Sequence, residues 1–370
     1  MQVVVFTHSL TSCWNHGNAH FLRGVLRELQ NKGHVVRAWE PAGSWSRENL
    51  IKDGGEAGLA AFSNHYPELS AQLYPPDAPD LDAMLDGADL VLVHEWNPPE
   101  LVAAIGRRRA SGGRFLLLFH DTHHRAVSEP DAIRHFDLSG YDGVLAFGAT
   151  LARIYERWGW NNRVFVWHEA ADLRRFAPPT VPTERQGGVW IGNWGDGERG
   201  AELAEFLLAP MQAAGLPLDI YGVRYPDAAK TMLAQHGAHL RGWLPNPYAP
   251  DVFARHLVTV HVPRRFYVTM LPGIPTIRVF EALACGIPLV SAPWDDAEAL
   301  FTPGQDYLVA RDGAEMTRLL RNVAGDPSLR ASLAEHGLAT IRARHSCAHR
   351  ADELLAIAAA LRPTVEKMPA

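Results

Sequence analysis

Two series of short apolar runs, each alternating with stretches of helical periodicity, restrict this chain more than any other feature. The first series opens with "QVVVFTH" (2–8). "NAHFLRGVLRELQNKGH" (18–34) follows, with Phe21, Leu22, Val25, Leu26 and Leu29 at helical spacing and a stop at Lys32-Gly33. "VVRAWEP", "ADLVLVHE" (88–95), "RFLLLFHD" (114–121) and "GVLAFG" (143–148) read as further strands, with a helix near 98–110. The second series has strands at "GGVWIGN" (187–193), "LPLDIYGV" (216–223), "VTVHVP" (258–263), "IPLVSAP" (287–293) and "DYLVA" (306–310). Helices are expected near 199–214, 226–236, 275–285 and 313–324. Strands that are apolar on both faces, with helices between them, predict parallel sheets covered on both sides. The reading is therefore α/β, with two doubly wound domains at 1–170 and 187–347. A linker at 171–186 lies inside the Pro-rich, polar stretch 167–188. A last helix, 348–362, follows the second sheet, and the tail "PTVEKMPA" is expected to fray. The stretch 40–80, with Trp45, Pro67, Pro75, Pro76 and Pro79, reads as an irregular insertion.

Length and charge agree with this plan. The chain has 370 residues, enough for two domains of ordinary size. A net charge of −6 and a pI near 6.3 argue against nucleic acid as a partner. Basic residues are mostly Arg, which suits bidentate phosphate binding but also follows from a GC-rich genome. Cys13, Cys285 and Cys347 are far apart and odd in number, so no disulfide framework or Cys-rich zinc motif is visible; a reducing cytoplasm fits. "MQVVVFTH" enters a strand at once and reads as no signal peptide. The apolar runs are too short to span a bilayer.

Two such domains place a cleft between the carboxyl ends of their strands. The dinucleotide fingerprint G-x-G-x-x-G is not found after the first strand. That strand runs instead into "THSLTSCWNHGNAH", where Gly17 and Asn18 begin a helix. The free N–H groups there either face an anion or are simply capped by Asn18. In "IPTIRVFEALACGIPLVSAPW" (274–294), Pro275 suits a first helical turn, and the N–H groups of Thr276 and Ile277 would point at a phosphate. Glu281 is a lone carboxylate in an apolar run, which is costly unless it is paired. It either accepts the two hydroxyls of a ribose or pairs with Arg278 on the preceding turn. "FHDTHH" offers His120, Asp121, His123 and His124 either as metal ligands or as polar cleft lining; neighbouring His123 and His124 do not easily face one ion. Glu95, in "VHEWNPPE", either touches an acceptor or caps the next helix. Trp14, Trp45 and Trp96 could stack on a sugar or pack.

"RVFEALACGIPLVSAPW" resembles the nucleotide-sugar signature of GT-B glycosyltransferases, especially the retaining enzymes of family 4 and the CgeB-like bacterial group. "SCWNHGNAHFLRGVLRELQNKGHVV", "ADLRRFAP" (171–178), "GNWGDGERGAEL" (192–203) and "LRGWLPNPYAPDVFA" (240–254) are similar to further family segments. The resemblance implies the GT-B fold, two Rossmann-like domains facing across a cleft, with the final helix crossing back to the N-terminal one. It implies that Glu281 holds the donor ribose and that Arg199 neutralises the diphosphate. Gly17 and Asn18 would approach the phosphate or donor sugar. Trp243, Leu244 and Gly222 would lie beside the nucleotide, and His120 near the donor sugar. Arg278, Thr276, Ile277 and Asn193 complete the expected donor side; Glu95, Trp96 and Asp121 are candidates for the acceptor side. Two positions depart from family 4. Gly273 stands where another Glu is usual, and Asn193 replaces an Arg. The expected activity is transfer from a nucleotide-diphosphate sugar, UDP-sugar favoured, to a saccharide or glycosylated acceptor. It would proceed with retention and without a metal or other cofactor. A nucleotide-sugar epimerase or hydrolase, or a non-catalytic sugar-nucleotide-binding protein, are the alternatives.

Overall fold

The computed structural model describes residues 1–160, 163–181, 183–195 and 197–362. Seven strands form the first sheet: β1 Gln2–Phe6, β2 Val35–Pro41, β3 Ala71–Tyr74, β4 Leu90–His94, β5 Leu116–Asp121, β6 Gly143–Ala146 and β7 Val164–Val166. Their order is β3-β2-β1-β4-β5-β6-β7, and every pairing is parallel, with Val3 opposite Val36 on one side and Leu90 on the other. Six strands form the second: β8 Gly188–Ile191, β9 Leu218–Tyr221, β10 Ala238–Gly242, β11 Val258–His261, β12 Leu289–Ser291 and β13 Leu308–Val309. Their order is β10-β9-β8-β11-β12-β13, again parallel. Strand order reverses beside β1 and beside β8, and such switch points open a crevice at the carboxyl ends.

The pleat explains why these runs carry no polar alternation. Val3, Val5, Leu90, Leu92, Leu116 and Leu118 enter one apolar cluster, while Val4, Phe6, Val91, Val93, Leu117 and Phe119 enter another on the opposite face. Both clusters continue into the second domain. The first reaches Phe176, Ile277 and Phe280; the second takes in Tyr267, Leu271 and Ile274. The domains thus meet through apolar side chains as well as across a polar cleft.

Several elements differ from the sequence reading. The stretch 40–80 is not irregular: it holds a helix, Trp45–His65, broken at Gly55 (φ +56°), and the edge strand β3. Only Ser46, Leu50, Gly58, Ala61 and Phe62 of that helix are buried, too few to leave a periodic signal. Strands β7 and β10 and the 18-residue helix Pro327–Arg344 are also additional; that helix buries only Leu333, Gly337 and Ile341.

The chain passes between the domains twice, and the two passages run side by side. Ala171 N donates to His345 O (2.9 Å) and Cys347 N donates to Ala171 O (2.9 Å). Ser346 then caps the last helix, Cys347–Leu361, in a capping box with His349. That helix lies on the Asn18–Asn31 helix of the first domain, so closely that a Cβ at Gly24 would stand 2.5 Å from Cys347 Sγ. Trp167 Nε1 donates to Arg350 O (2.9 Å) across the same contact. No helix among the described residues is long and apolar enough to cross a membrane.

Candidate active site

A cleft of about 870 Å³ lies between the carboxyl ends of the two sheets. Its centre is built from two helix starts. The Asn18–Asn31 helix begins at Gly17 and the Ile277–Ala284 helix at Thr276; among the described residues neither start has a side-chain cap. Ala19 N and His20 N turn back to His16 O and Gly17 O (3.4 Å each), which leaves the Asn18 N–H at the first start and the Ile277 and Arg278 N–H groups at the second for another acceptor. The two starts touch: a Cβ at Gly17 would lie 3.0 Å from Ile277 Cγ2. Two positive helix ends therefore face one space.

Arg199 adds a full charge there. It is 8% exposed and lines the cleft. Its Nη1 donates to Val262 O (3.0 Å) and its Nη2 to Asn193 O (2.8 Å), while the guanidinium lies 5.0 Å from the Trp190 ring centre. Nε has no partner. Burial lowers its pKa to about 10, helped by Arg264, yet it stays charged at neutral pH. Arg264 also lines the cleft and donates to Glu198 (2.7 Å). Hydrogen bonds from Arg264 and His124 hold the Glu198 carboxyl at about 2 against the upward push of burial.

Towards one end the walls are Trp243, Leu244 and Gly222. Gly222 admits no side chain, since a Cβ would meet Gly192 O at 2.0 Å. Trp243 packs on Gly54 of the first domain, and Asn193 bonds to Asn15 of that domain. At the other end Trp96, 41% exposed, lies against Arg125 (4.2 Å) and His123 (5.2 Å). His8 and His16, with ring centres 3.9 Å apart, share this wall. Burial lowers both: His8 to about 4, assisted by Arg125, and His16 further below its usual value. Among the described residues His8 Nδ1 and His16 Nε2 have no partner.

Of the residues singled out in the sequence, Gly17, Asn18, Trp96, Asn193, Arg199, Gly222, Trp243, Leu244, Thr276, Ile277 and Arg278 all line this cleft. Four do not. Glu281 is fully buried beneath it. Its Oε1 accepts from His20 Nδ1 (2.8 Å) and from Asn246 Nδ2 (2.7 Å), and its Oε2 is paired with Arg278. The Asp172 N–H donates to His20 Nε2 (2.9 Å), which fixes the His20 proton on Nδ1. Burial pushes the Glu281 carboxyl up, but Arg278, His20 and Asn246 together bring it below its ordinary value. The pairing with Arg278 is therefore the contact formed here. His120 is also behind the wall, edge-on to Trp167 (4.8 Å), with burial lowering it to about 3. Asp121 accepts from Tyr155 Oη (2.8 Å) and His123 N (3.1 Å). Glu95 neither reaches the cleft nor caps the next helix; it pairs with Arg125. Burial raises both carboxyls, to about 8 for Glu95 and about 6 for Asp121, since one Arg125 serves two buried acids. The reason is positional. Glu95 immediately follows β4, while His120 and Asp121 are the last residues of β5; all three remain in the layer, and the chain emerges only at Trp96 and Thr122–Arg125.

The His123 and His124 rings lie tilted against each other with centres 4.0 Å apart, and His124 turns to Glu198 (3.4 Å). Among the described residues no group of three or more His, Cys, Asp or Glu is arranged to hold a metal ion. Gly273 has φ +88°, and its N–H donates to Asp295 O (2.8 Å). That left-handed backbone favours glycine, which accounts for the absence of an acidic side chain at this position. Glu169, His8, His16 and Arg264 are cleft residues that the sequence reading did not single out.

Two Rossmann-like parallel-sheet domains facing across a cleft, with the final helix returning to the first, define the GT-B glycosyltransferase fold. Residues 199–356 match the family described as "Glycosyl transferase-like". Among solved structures, sucrose-phosphate synthase from Thermosynechococcus elongatus matches with a TM-score of 0.64 at 14% identity, over 98% of this chain and 99% of that one. A glycosyltransferase from Rickettsia africae matches with a TM-score of 0.67 at 10% identity, over 99% of both chains. The Anabaena protein HepE, in complex with UDP and glucose, matches with a TM-score of 0.64 at 12% identity, over 96% of this chain and 98% of that one. No curated protein sequence matches the chain.

Proposed function

We propose that this protein transfers a sugar from a nucleoside-diphosphate donor, UDP-sugar favoured, to a saccharide or glycosylated acceptor, with retention and without a metal. The observation that carries the reading is the meeting of two uncapped helix starts with the buried, charged Arg199 in one cleft. Fixed donors and dipoles of this kind hold a diphosphate and stabilise it as charge grows on leaving. The nucleoside then lies against Trp243, Leu244 and Gly222. The acceptor is placed against Trp96, whose exposed ring suits the apolar face of a sugar, with His8 and His16 offering unpartnered nitrogens to hydroxyls. HepE was solved with UDP and glucose, which supports this donor class. The grouping with family 4 and CgeB-like enzymes, and with it retention, rests on "RVFEALACG". Three free cysteines fit a reducing cytoplasm. A thermal-shift screen over UDP-, GDP-, ADP- and dTDP-sugars in excess EDTA tests the reading, because ligand bound only by the folded state raises the melting temperature. A UDP-sugar is expected to give the largest shift, and transfer to a saccharide should survive the chelator. No shift with any of the four refutes the donor site; a shift without transfer to any acceptor supports binding alone; activity restored only by a divalent ion refutes metal independence.

A further inference from the structure

Glu169 sits in the segment that joins the domains, 6% exposed, and lines the cleft. Among the described residues its only hydrogen bond comes from Asn18 Nδ2 (3.0 Å), and no Arg, Lys or His forms an ion pair with it. Asn18 is the first residue of the Asn18–Asn31 helix, one of the two helix starts at the centre of the cleft. The Asn18 Oδ1 is buried and, among the described residues, without a partner. The carboxyl thus faces the space where negative charge is to be bound, with no counter-ion of its own.

The charged and titratable groups around it do not change this. On the Ile277–Ala284 helix, Glu281 repels it, and Arg278 is already paired with Glu281. On the Arg265–Thr269 helix, Tyr267 stays neutral, its pKa raised by burial. In the loop before Asn18, burial keeps His16 neutral. Beside Glu169 in the chain, His168 turns away to Glu298 (2.8 Å). Burial raises Glu169 to about 7, against the Asn18 hydrogen bond, with help from Glu281 and against the more distant charge of Arg278. A diphosphate at the helix starts adds more negative charge beside it, which disfavours the ionised carboxylate further. The protonated acid has the opposite relation to the ligand. It donates a charge-assisted hydrogen bond, which is short and strong.

We propose that Glu169 binds the nucleoside diphosphate as the neutral acid, its O–H donating to a phosphate oxygen, so that donor binding takes up one proton from solvent. This rests on reading the cleft as a nucleoside-diphosphate site. The consequence is a donor affinity that falls as pH rises past neutrality, because the free protein must be protonated before it binds.

Calorimetry with UDP, run from pH 7 to 8.5 in two buffers of different ionisation enthalpy, measures the proton count directly. UDP is itself almost fully ionised at the upper end, since a phosphate loses its second proton near pH ~6. With Glu169 at about 7, uptake of about 0.9 proton is expected at pH 8. Affinity should fall close to tenfold per pH unit above 7.5. Glu169→Gln keeps a donor without a titrating group. It should bind UDP with no proton uptake and a flat pH profile, at least as tightly as wild type at pH 8.5. UDP binding by wild type without proton uptake overturns the inference while leaving the donor site intact, and needs no variant. Proton uptake that persists in Glu169→Gln overturns it as well. So does a loss of affinity in Glu169→Gln at every pH, which would make the ionised carboxylate the ligand. Failure of UDP, ADP, GDP and dTDP alike to bind overturns the nucleotide reading and this inference with it.

Discussion

Replacing Glu281 by alanine removes one carboxylate that three donors share. His20 Nδ1 and Asn246 Nδ2 lose their acceptor in a site with no exposed surface, and Arg278 loses its partner. His20 cannot turn to compensate, because its other nitrogen accepts from Asp172 N and its ring stacks on Phe176 (3.9 Å). Each stranded buried donor costs about 1–3 kcal/mol. Arg278, 29% exposed, can turn into the cleft and recover water, so it adds least. The sum is about 3–5 kcal/mol, the range for breaking a buried pair from one side. In a domain of this size each kcal/mol lowers the melting temperature by about 2–4 °C, so a drop on the order of 10 °C is expected. Glu281→Gln should lose less, since its carbonyl still serves His20 and Asn246 while its amide group opposes Arg278. Melting curves without ligand, beside calorimetry with UDP on the folded variants, separate an anchor from a ligand. An alanine variant that melts within about 2 °C of wild type but has lost UDP affinity refutes the anchoring argument and returns Glu281 to the ribose.

Arg199→Ala should lower kcat more than it raises the KM for donor, as leaving-group charge is largest in the transition state; a raised KM at unchanged kcat would reduce Arg199 to a binding role. Gly148 has extended backbone, so alanine is tolerated locally, but its Cβ would meet Ile274 Cγ1 of the other domain at 2.3 Å. Gly148→Ala should destabilise the closed pair of domains by about 1–3 kcal/mol and raise the donor KM, and Ile274→Ala in the same chain should relieve both; no relief refutes the contact. The melting temperature should peak near pH 6.5. Burial holds His8 and His345 at about 4 and His120 and His261 at about 3, so the stability that depends on their neutrality is complete above their unfolded pKa and falls as pH drops below 6.5. Glu95 and Glu169, raised to about 8 and about 7, contribute in the opposite sense: their share is complete below 4.5 and is lost as pH rises through those values. A melting temperature that keeps rising from pH 6.5 to 8 would contradict the carboxyl assignments.

Strands such as β1, β4 and β5 were legible because they are buried on both faces, which leaves an unbroken apolar run. The Trp45–His65 and Pro327–Arg344 helices were not, because each buries a few scattered residues and exposes the rest. In the cleft, Thr276, Ile277 and Arg278 could be placed because one local segment sets their spacing. Glu95, His120 and Asp121 were misplaced by a residue or two at strand ends, enough to change the side of the wall on which a side chain lies. Glu169 carried no local signal. Its position opposite Asn18 depends on how residues far apart in sequence pass between the domains, and only the assembled fold brings them together.

The last helix has a consequence for synthesis. The Asn18–Asn31 helix leaves the ribosome long before Cys347 does, yet the surface that covers Gly24 and Phe21 is Cys347 and the helix it begins. The first domain therefore cannot complete its core when its own sheet is finished. It must wait, with an apolar face uncovered, until the second domain and the Cys347–Leu361 helix have been made. Translation proceeds at roughly 5–20 residues per second, so that interval lasts on the order of tens of seconds. A holding chaperone has its opportunity in that interval, and a chain cut short before Ser346 should aggregate rather than yield a folded first domain.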